Sequence, residues 1–251
     1  MSAILFIIPV AFATALISGV FGMAGGLVLM GALGLVFTVP EAMMLHGLIQ
    51  SAANGSRAAF LIRHVDWRIF GFIGVGSLLA ALVFALLTYA PSKGVLYLIL
   101  GLVPAFSWLP KERLDLDASR PAQAVLCGLA VTGLNVASGV SGPLLDVFFV
   151  RGPLGRHAIV ATKAAVTVFA HLVKLAYYGA PLLAAGATGD AVLERVGVLF
   201  LAALPFTLAG TWLGGRLLER FSDADFRRWT RRLVTAIGAV YVVQGVALLA
   251  G

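Results

Sequence analysis

Two sets of polar residues stand inside otherwise apolar stretches of this chain: His46, Gln50, Asn54 and Arg57, then Lys163, Thr167, His171, Lys174 and Tyr178. At 100° per residue each set falls within about 80° of helical wheel, so each is a single stripe. Neither suits covalent chemistry, because no Ser/His/Asp or Cys/His set is available to activate a nucleophile. The chain reads as neither an enzyme nor a cofactor protein. Cations, imidazoles, amides and hydroxyls on one face suit the holding of a small anion. His46 and His171 are metal-ligand types, yet a nearby lysine repels a cation and no carboxylate or thiol cluster completes a shell, so no metal site is expected.

The setting makes these stripes costly. Of 251 residues, 61% are hydrophobic and 12% charged, with a mean hydropathy of +1.01. A soluble domain carries about 25% charged residues, so this is an integral membrane protein. The net charge of +7 sits in short clusters between apolar runs, which fits loops facing an anionic leaflet and not a nucleic acid. The lone Cys127 is a packing residue. Even a lenient insertion scale assigns about 2.5–3.5 kcal/mol to one central Lys, so the stripes must face each other or a cavity. Lys163, with no carboxylate three or four positions away, is a site residue on this ground. Arg57, ending its stretch beside a cationic loop, reads as an interfacial anchor. Asp146 is the only acid within a long apolar run. It is either a proton carrier or the ion-pair partner of Lys163 or Lys174, and the sequence leaves both open.

Eight windows lack Asp, Glu, Lys and Arg, and most can cross a bilayer. The polar stripes belong to helices expected at roughly 41–60 and 156–178. Residues 4–39 as one helix would be about 54 Å long, so it must break. The break is legible in Ser18-Gly19-Val20-Phe21-Gly22-Met23-Ala24-Gly25-Gly26, and it leads either into a re-entrant hairpin or into two short spans. Ser138-Gly139-Val140-Ser141-Gly142-Pro143 repeats it at an offset of 120. That internal copy, and the uncharged Met1-Ser2-Ala3-Ile4, argue against a cleaved signal peptide. Half-helices beginning near Leu27 and Leu144 would turn their N–H groups toward an anion. Past the breaks the offset becomes 117, setting His46, Gln50, Asn54 and Arg57 opposite Lys163, Thr167, His171 and Lys174.

The expected architecture is therefore an all-α polytopic membrane protein of two inverted repeats, residues 1–108 and 121–251, joined by a cytoplasmic linker at 109–120. Each repeat holds a glycine-broken or re-entrant segment plus three transmembrane helices, about 8 in all, or 10 if each broken segment counts twice. Of 18 Lys and Arg, 14 fall in four clusters that this topology places on one face, with Lys93 and Arg195 on the other. The positive-inside rule makes the rich face cytoplasmic and both termini non-cytoplasmic. Trp67, Trp108, Trp212 and Trp229 gather at that face as an interfacial belt.

With these residues in place the chain resembles the sulfite exporter TauE/SafE family of small bacterial anion transporters. The resemblance is carried by Gly19 to Gly26, by Arg63-His64-Val65-Asp66-Trp67, by Gly139 to Pro143, and most specifically by Ala161-Thr162-Lys163-Ala164 through His171 and Lys174 to Tyr178-Gly179. It implies export or uptake of sulfite or an organosulfonate across the bacterial inner membrane. The second break, poorer in glycine and followed by Asp146, departs from the first, so the halves contribute unequally. The expected anion site comprises Gly22, Gly25, Gly26, His46, Gln50, Asn54, Gly139, Ser141, Gly142, Lys163, Thr167, His171 and Lys174. Its partners are a small anionic substrate, the lipid bilayer and a coupling ion, with the proton a candidate through Asp146. The substrate, the direction of transport and the oligomeric state stay open.

Overall fold

The computed structural model describes residues 2–22, 24–110, 114–149, 152–218 and 223–251, with side chains of the last helix from Arg228 onward. Met23, Lys111, Arg113, Arg151, Arg220 and the side chain of Arg227, which the sequence reading used in the first break and the cationic clusters, lie outside the described residues. Among the described residues all regular structure is helical: α1 (Ser2–Phe21), α2 (Ala24–Val36), α3 (Val39–Phe60), α4 (Trp67–Leu87), α5 (Lys93–Leu102, extended by a 3-10 turn over Val103–Trp108), α6 (Pro121–Ser138), α7 (Gly142–Phe148), α8 (Arg156–Ala184), α9 (Ala187–Leu218) and α10 (Asp223–Ala250). Six of them, α1, α4, α6, α8, α9 and the part of α10 from Arg228, are long and apolar enough to span a bilayer. The chain is a polytopic all-α membrane protein.

Both broken segments are hairpins. Gly22, at φ 62°, ends α1, and α2 returns along it until the Phe37 ring lies 6.4 Å from that of Phe6. At thirteen residues α2 is about 19 Å long, too short to cross. Gly139, at φ 85°, ends α6, and α7 brings the Phe148 carbonyl back to accept from the Ala118 N–H, 2.8 Å away and just before α6 begins. The left-handed glycines are not at equivalent positions. The offset of 120 pairs Gly19 with Gly139, yet α1 continues to Phe21, because Gly19 is taken up by backbone contact with Gly214 of α9.

The half-helices also start earlier than expected, at Ala24 and Gly142 instead of Leu27 and Leu144, and α7 has only seven residues. So short a helix carries little dipole, which leaves any anion in this region to side chains. Helix α8 runs to Ala184, past the expected end at 178, carrying Pro181 within it. Gly186, at φ 61°, then turns the chain directly into α9. Arg195, expected in a connection, therefore sits inside α9 and pairs with Glu41 of α3. Glu41 is held ready: its Oε2 accepts from the N–H and hydroxyl of Thr38 at 3.0 and 2.7 Å, capping α3 and leaving Oε1 for the guanidinium.

The four principal helix pairs each join the first half of the chain to the second: α1 with α9, α4 with α6, α3 with α8, α5 with α10. Glycine sets the approach in each. Gly210 meets Phe12 and Leu16 while Gly214 meets Leu16 and Gly19, so α1 and α9 run parallel. Gly76 meets Val125 and Leu129, Gly128 meets Ile73 and Ser77, and the Thr132 hydroxyl donates to Ser77 at 2.8 Å; α4 and α6 are parallel as well. In α5 and α10, Gly94 faces Gly245 and Gly101 faces Gly238, an antiparallel register of bare backbones. Replacing each helix by its counterpart five places along turns the α1/α9 pair into α6/α4 and returns the other two pairs to themselves. Small residues at such seams are what packing without a hydrophobic drive between helices requires.

A side chain at Gly128 would collide with the Ile73 carbonyl and the backbone of Ser77. Gly128→Leu is expected to cost about 1–3 kcal/mol or more by overpacking, lowering the detergent-solubilised melting temperature by roughly 2–12 °C. Gly71→Ala, where nothing lies within 4 Å, changes it little.

Candidate functional site

Helix α3 is 22 residues long yet is not among the apolar spans, because its stripe faces inward. His46 and Gln50 are buried, as are His171 and Lys174 on α8. The two helices cross antiparallel: Gly179 lies against Met44, Gly47 against Leu175, and Gly55 against Val168. The stripes therefore face each other, with the two hairpin turns packed alongside.

His46 joins these parts. Its Nε2 lies 3.0 Å from the Gly26 carbonyl, which can only accept, so that nitrogen carries the proton. Nδ1 then accepts from Lys174 Nζ at 2.9 Å. The ammonium also donates to the Gly139 carbonyl at 3.2 Å. One imidazole thus spans from the first turn to the second through a lysine, and both glycines are required there. A Cβ at Gly26 would lie 2.7 Å from Gln50 Nε2, and one at Gly139 would lie 2.7 Å from Met30 Sδ. With Nδ1 occupied by an ammonium, His46 has no lone pair left for a metal ion.

Beside this bridge is a cavity of about 60 Å³. Of the expected site residues, Gly22, Gly26, His46, Gln50, Asn54, Gly139, Ser141, Gly142, Thr167 and His171 line it. Three do not. Gly25 packs on Thr14 and Ser18 of α1, where a side chain would collide with the Thr14 carbonyl. Lys174 is fully buried behind His46. Lys163 pairs with Asp146, and the two line an adjoining vestibule of about 900 Å³. Their side chains are 26% and 34% exposed.

The structure adds residues that the sequence reading passed over. Asn135 and Ser18 line the cavity. Arg57 lines both cavity and vestibule, with one long bond from Nη1 to Asn54 Oδ1 at 3.5 Å. Asn54 in turn donates to the Gln50 carbonyl at 2.9 Å, so the α3 stripe is a ladder leading from vestibule to cavity. Thr132, Asn135 and Ser138 form a polar stripe in a charge-free window, a signal available in the sequence. Two cavity-lining residues each keep a buried polar atom with no protein partner, His171 Nδ1 and Asn135 Oδ1. Their residues are 3% and 1% exposed. A buried polar atom left unpaired costs about 1–3 kcal/mol, so the cavity wall holds hydrogen-bonding capacity that a small side-chain adjustment would expose. A half-turn of the Asn135 amide lets Ser141 Oγ, 3.4 Å from Nδ2, donate to it and turns its NH₂ on the cavity.

The vestibule opens between the ends of α3 and α9 and the start of α10, past Leu61, Trp212, Leu218 and Thr230. This is the end where the cationic clusters lie. There Arg216 stacks on Trp212 at 4.2 Å and Arg231 on Trp108 at 5.1 Å.

The hairpins, the inward polar stripes and a small cavity at their crossing define a polytopic helical membrane protein with polar groups gathered inside it. The family model described as Sulfite exporter TauE/SafE matches residues 7–241, and the chain belongs to that family. Membership makes it a membrane transporter of the sulfite or anion type. No curated protein and no solved structure gives a significant match.

His46→Ala leaves the Gly26 carbonyl and Lys174 without their partner, an expected loss of about 1–3 kcal/mol for each group. Asn54→Ala, which removes a bond within its own helix, is expected to change stability by about 1 kcal/mol or less. Thermal melts in detergent separate the two.

Proposed function

We propose that the chain is a secondary transporter that moves a small sulfur oxyanion, sulfite in the first instance, across the bacterial inner membrane in the export direction. The observation that carries this is the cavity between both hairpin turns and both stripes, lined by His46, Gln50, Asn54, Asn135, Ser141, Thr167 and His171 and continuous with the vestibule at Arg57. Its volume of about 60 Å³ suits a small solute. Imidazole, amide and hydroxyl groups supply neutral donors, and Arg57 supplies charge from the vestibule side.

Residues 1–108 and 121–251 act as inverted repeats, with 109–120 as the cytoplasmic linker. Three features support this reading. The helix pairing is invariant under exchange of halves. The pair directions alternate as inversion requires. The His46–Gly26 and Lys163–Asp146 contacts fall at equivalent places, since the offsets of 117 and 120 carry His46 to Lys163 and Gly26 to Asp146. With the cationic end cytoplasmic and the termini outside, the vestibule faces the cytoplasm. The His46–Lys174 and Glu41–Arg195 contacts then close the opposite end, and rocking one repeat on the other exchanges the open side. Asp146, the one carboxylate among the described residues lining the vestibule, is where a coupling proton would bind.

Reconstitution into proteoliposomes tests the reading. Flux is expected for sulfite and less for sulfate, taurine or sulfoacetate, with a dependence on the proton gradient that Asp146→Asn removes. Lys163→Ala is expected to lower sulfite flux by at least about tenfold, the loss of a charge-assisted contact, in protein that still elutes as a single folded species. Flux of a different small anion would leave the transporter reading and change its substrate; unaltered flux in Lys163→Ala would make the Lys163–Asp146 pair structural.

A further inference from the structure

The two ends of the α3/α8 crossing differ in charge, and one of them borders the vestibule. At the far end Met44 meets Gly179, His46 meets Lys174 and Gly47 meets Leu175. Toward the vestibule Gly55 lies against Val168, and the chain just past α3 is tied to α8 through the Asp66 N–H, which donates to Thr162 Oγ1 at 2.9 Å. At that end Arg57 on α3 and Lys163 and Ala164 on α8 line the vestibule. Exchange of halves at the offset of 117 carries His46 to Lys163, Lys174 to Arg57, Gly47 to Ala164 and Leu175 to Ala58. Closing the vestibule end as the far end is now packed therefore brings Arg57 onto Lys163 and Ala58 onto Ala164. Both residues are alanines, so neither brings a long side chain to that meeting point.

Charge opposes that approach. At the far end a neutral imidazole accepts from an ammonium, an attractive pair. At the vestibule end the equivalent pair is guanidinium against ammonium. Arg57, Lys163 and Asp146 are the charged residues among the described residues of the vestibule lining, and Arg57 has no carboxylate partner among the described residues. With Asp146 ionised and paired to Lys163, the set carries one net positive charge. Pressing it together away from water leaves that charge unbalanced, whereas one monoanion between guanidinium and ammonium cancels it.

We propose that Arg57 and Lys163 form a second anion position, assembled only as the vestibule closes, whose occupancy by an oxyanion of one net negative charge, such as hydrogen sulfite, is the condition for closure. The empty carrier then cannot return readily, so the protein exchanges anions faster than it moves them in one direction. The inference rests on the transporter reading and on the inverted repeats.

Proteoliposomes in chloride-free gluconate buffer test it. Labelled sulfite uptake is measured into vesicles loaded with sulfite and into vesicles loaded with gluconate alone. Exchange is expected to exceed net uptake by at least about tenfold in the wild type. Arg57→Gln is expected to bring the two within about twofold of each other, because the empty gate is then neutral. Asp146→Asn widens the gap. Independently, Ala58→Cys with Ala164→Cys in a Cys127→Ser background reports closure, since a disulfide needs Cβ atoms about 3.8 Å apart. Sulfite is expected to speed copper-phenanthroline cross-linking at least about fivefold over gluconate. Equal exchange and net rates in the wild type, or cross-linking indifferent to sulfite, overturns the inference while the transporter reading stands. Absence of any anion flux overturns both.

Discussion

A lysine buried in hydrocarbon must be given partners by the fold, and the partners found for Lys174 hold the two halves of this protein together. Its ammonium donates to His46 on α3 and to the carbonyl of Gly139 at the second turn. His46 passes the connection to Gly26 beyond the first turn. Non-helical backbone is tolerable at membrane depth only where protein or an aqueous cavity satisfies it. Here the satisfying groups are the stripes themselves. The turns can break because the stripes face them, and the stripes can stay polar because the turns lie alongside. The cavity is the space this arrangement leaves.

Much of this was legible in the amino-acid order. Period and polarity placed His46, Gln50, Asn54, Thr167 and His171 on inward faces, and the structure brings all five to one cavity. The paired glycine runs marked both turns. What escaped was the identity of neighbours. A stripe reports which face is interior and is silent on how far a long side chain reaches. Lys174 thus reads like a site residue but sits behind His46, and Arg57 lines the cavity as well as the vestibule. Of the two ion-pair partners that the sequence left open for Asp146, the fold selects Lys163. Gly25 and Gly26 are adjacent and look alike in sequence. One packs against α1 and the other makes room for Gln50 and His46, a difference fixed by 100° of rotation on α2.

The asymmetry between the halves is as informative as their likeness. Equivalent positions hold an imidazole against a carbonyl in one half and an ammonium against a carboxylate in the other. A duplicated fold with identical charges would treat its two ends alike. This one places a neutral acceptor at the end away from the vestibule and charged groups at the end beside it, so the two conformations of the crossing differ in what they require of a solute.

Helix α3 also bears on how the protein is made. Six of the other helices are long and apolar enough to cross a bilayer, whereas α3 carries His46, Gln50, Asn54 and Arg57 on one face. The helix that shelters that face, α8, begins at Arg156 and is synthesised only after the whole first half of the chain and a further hairpin. During that interval α3 has the α1/α2 hairpin to lean on but no counterpart for its stripe. The polar face of α3 is therefore completed only by a helix that the second half of the chain supplies.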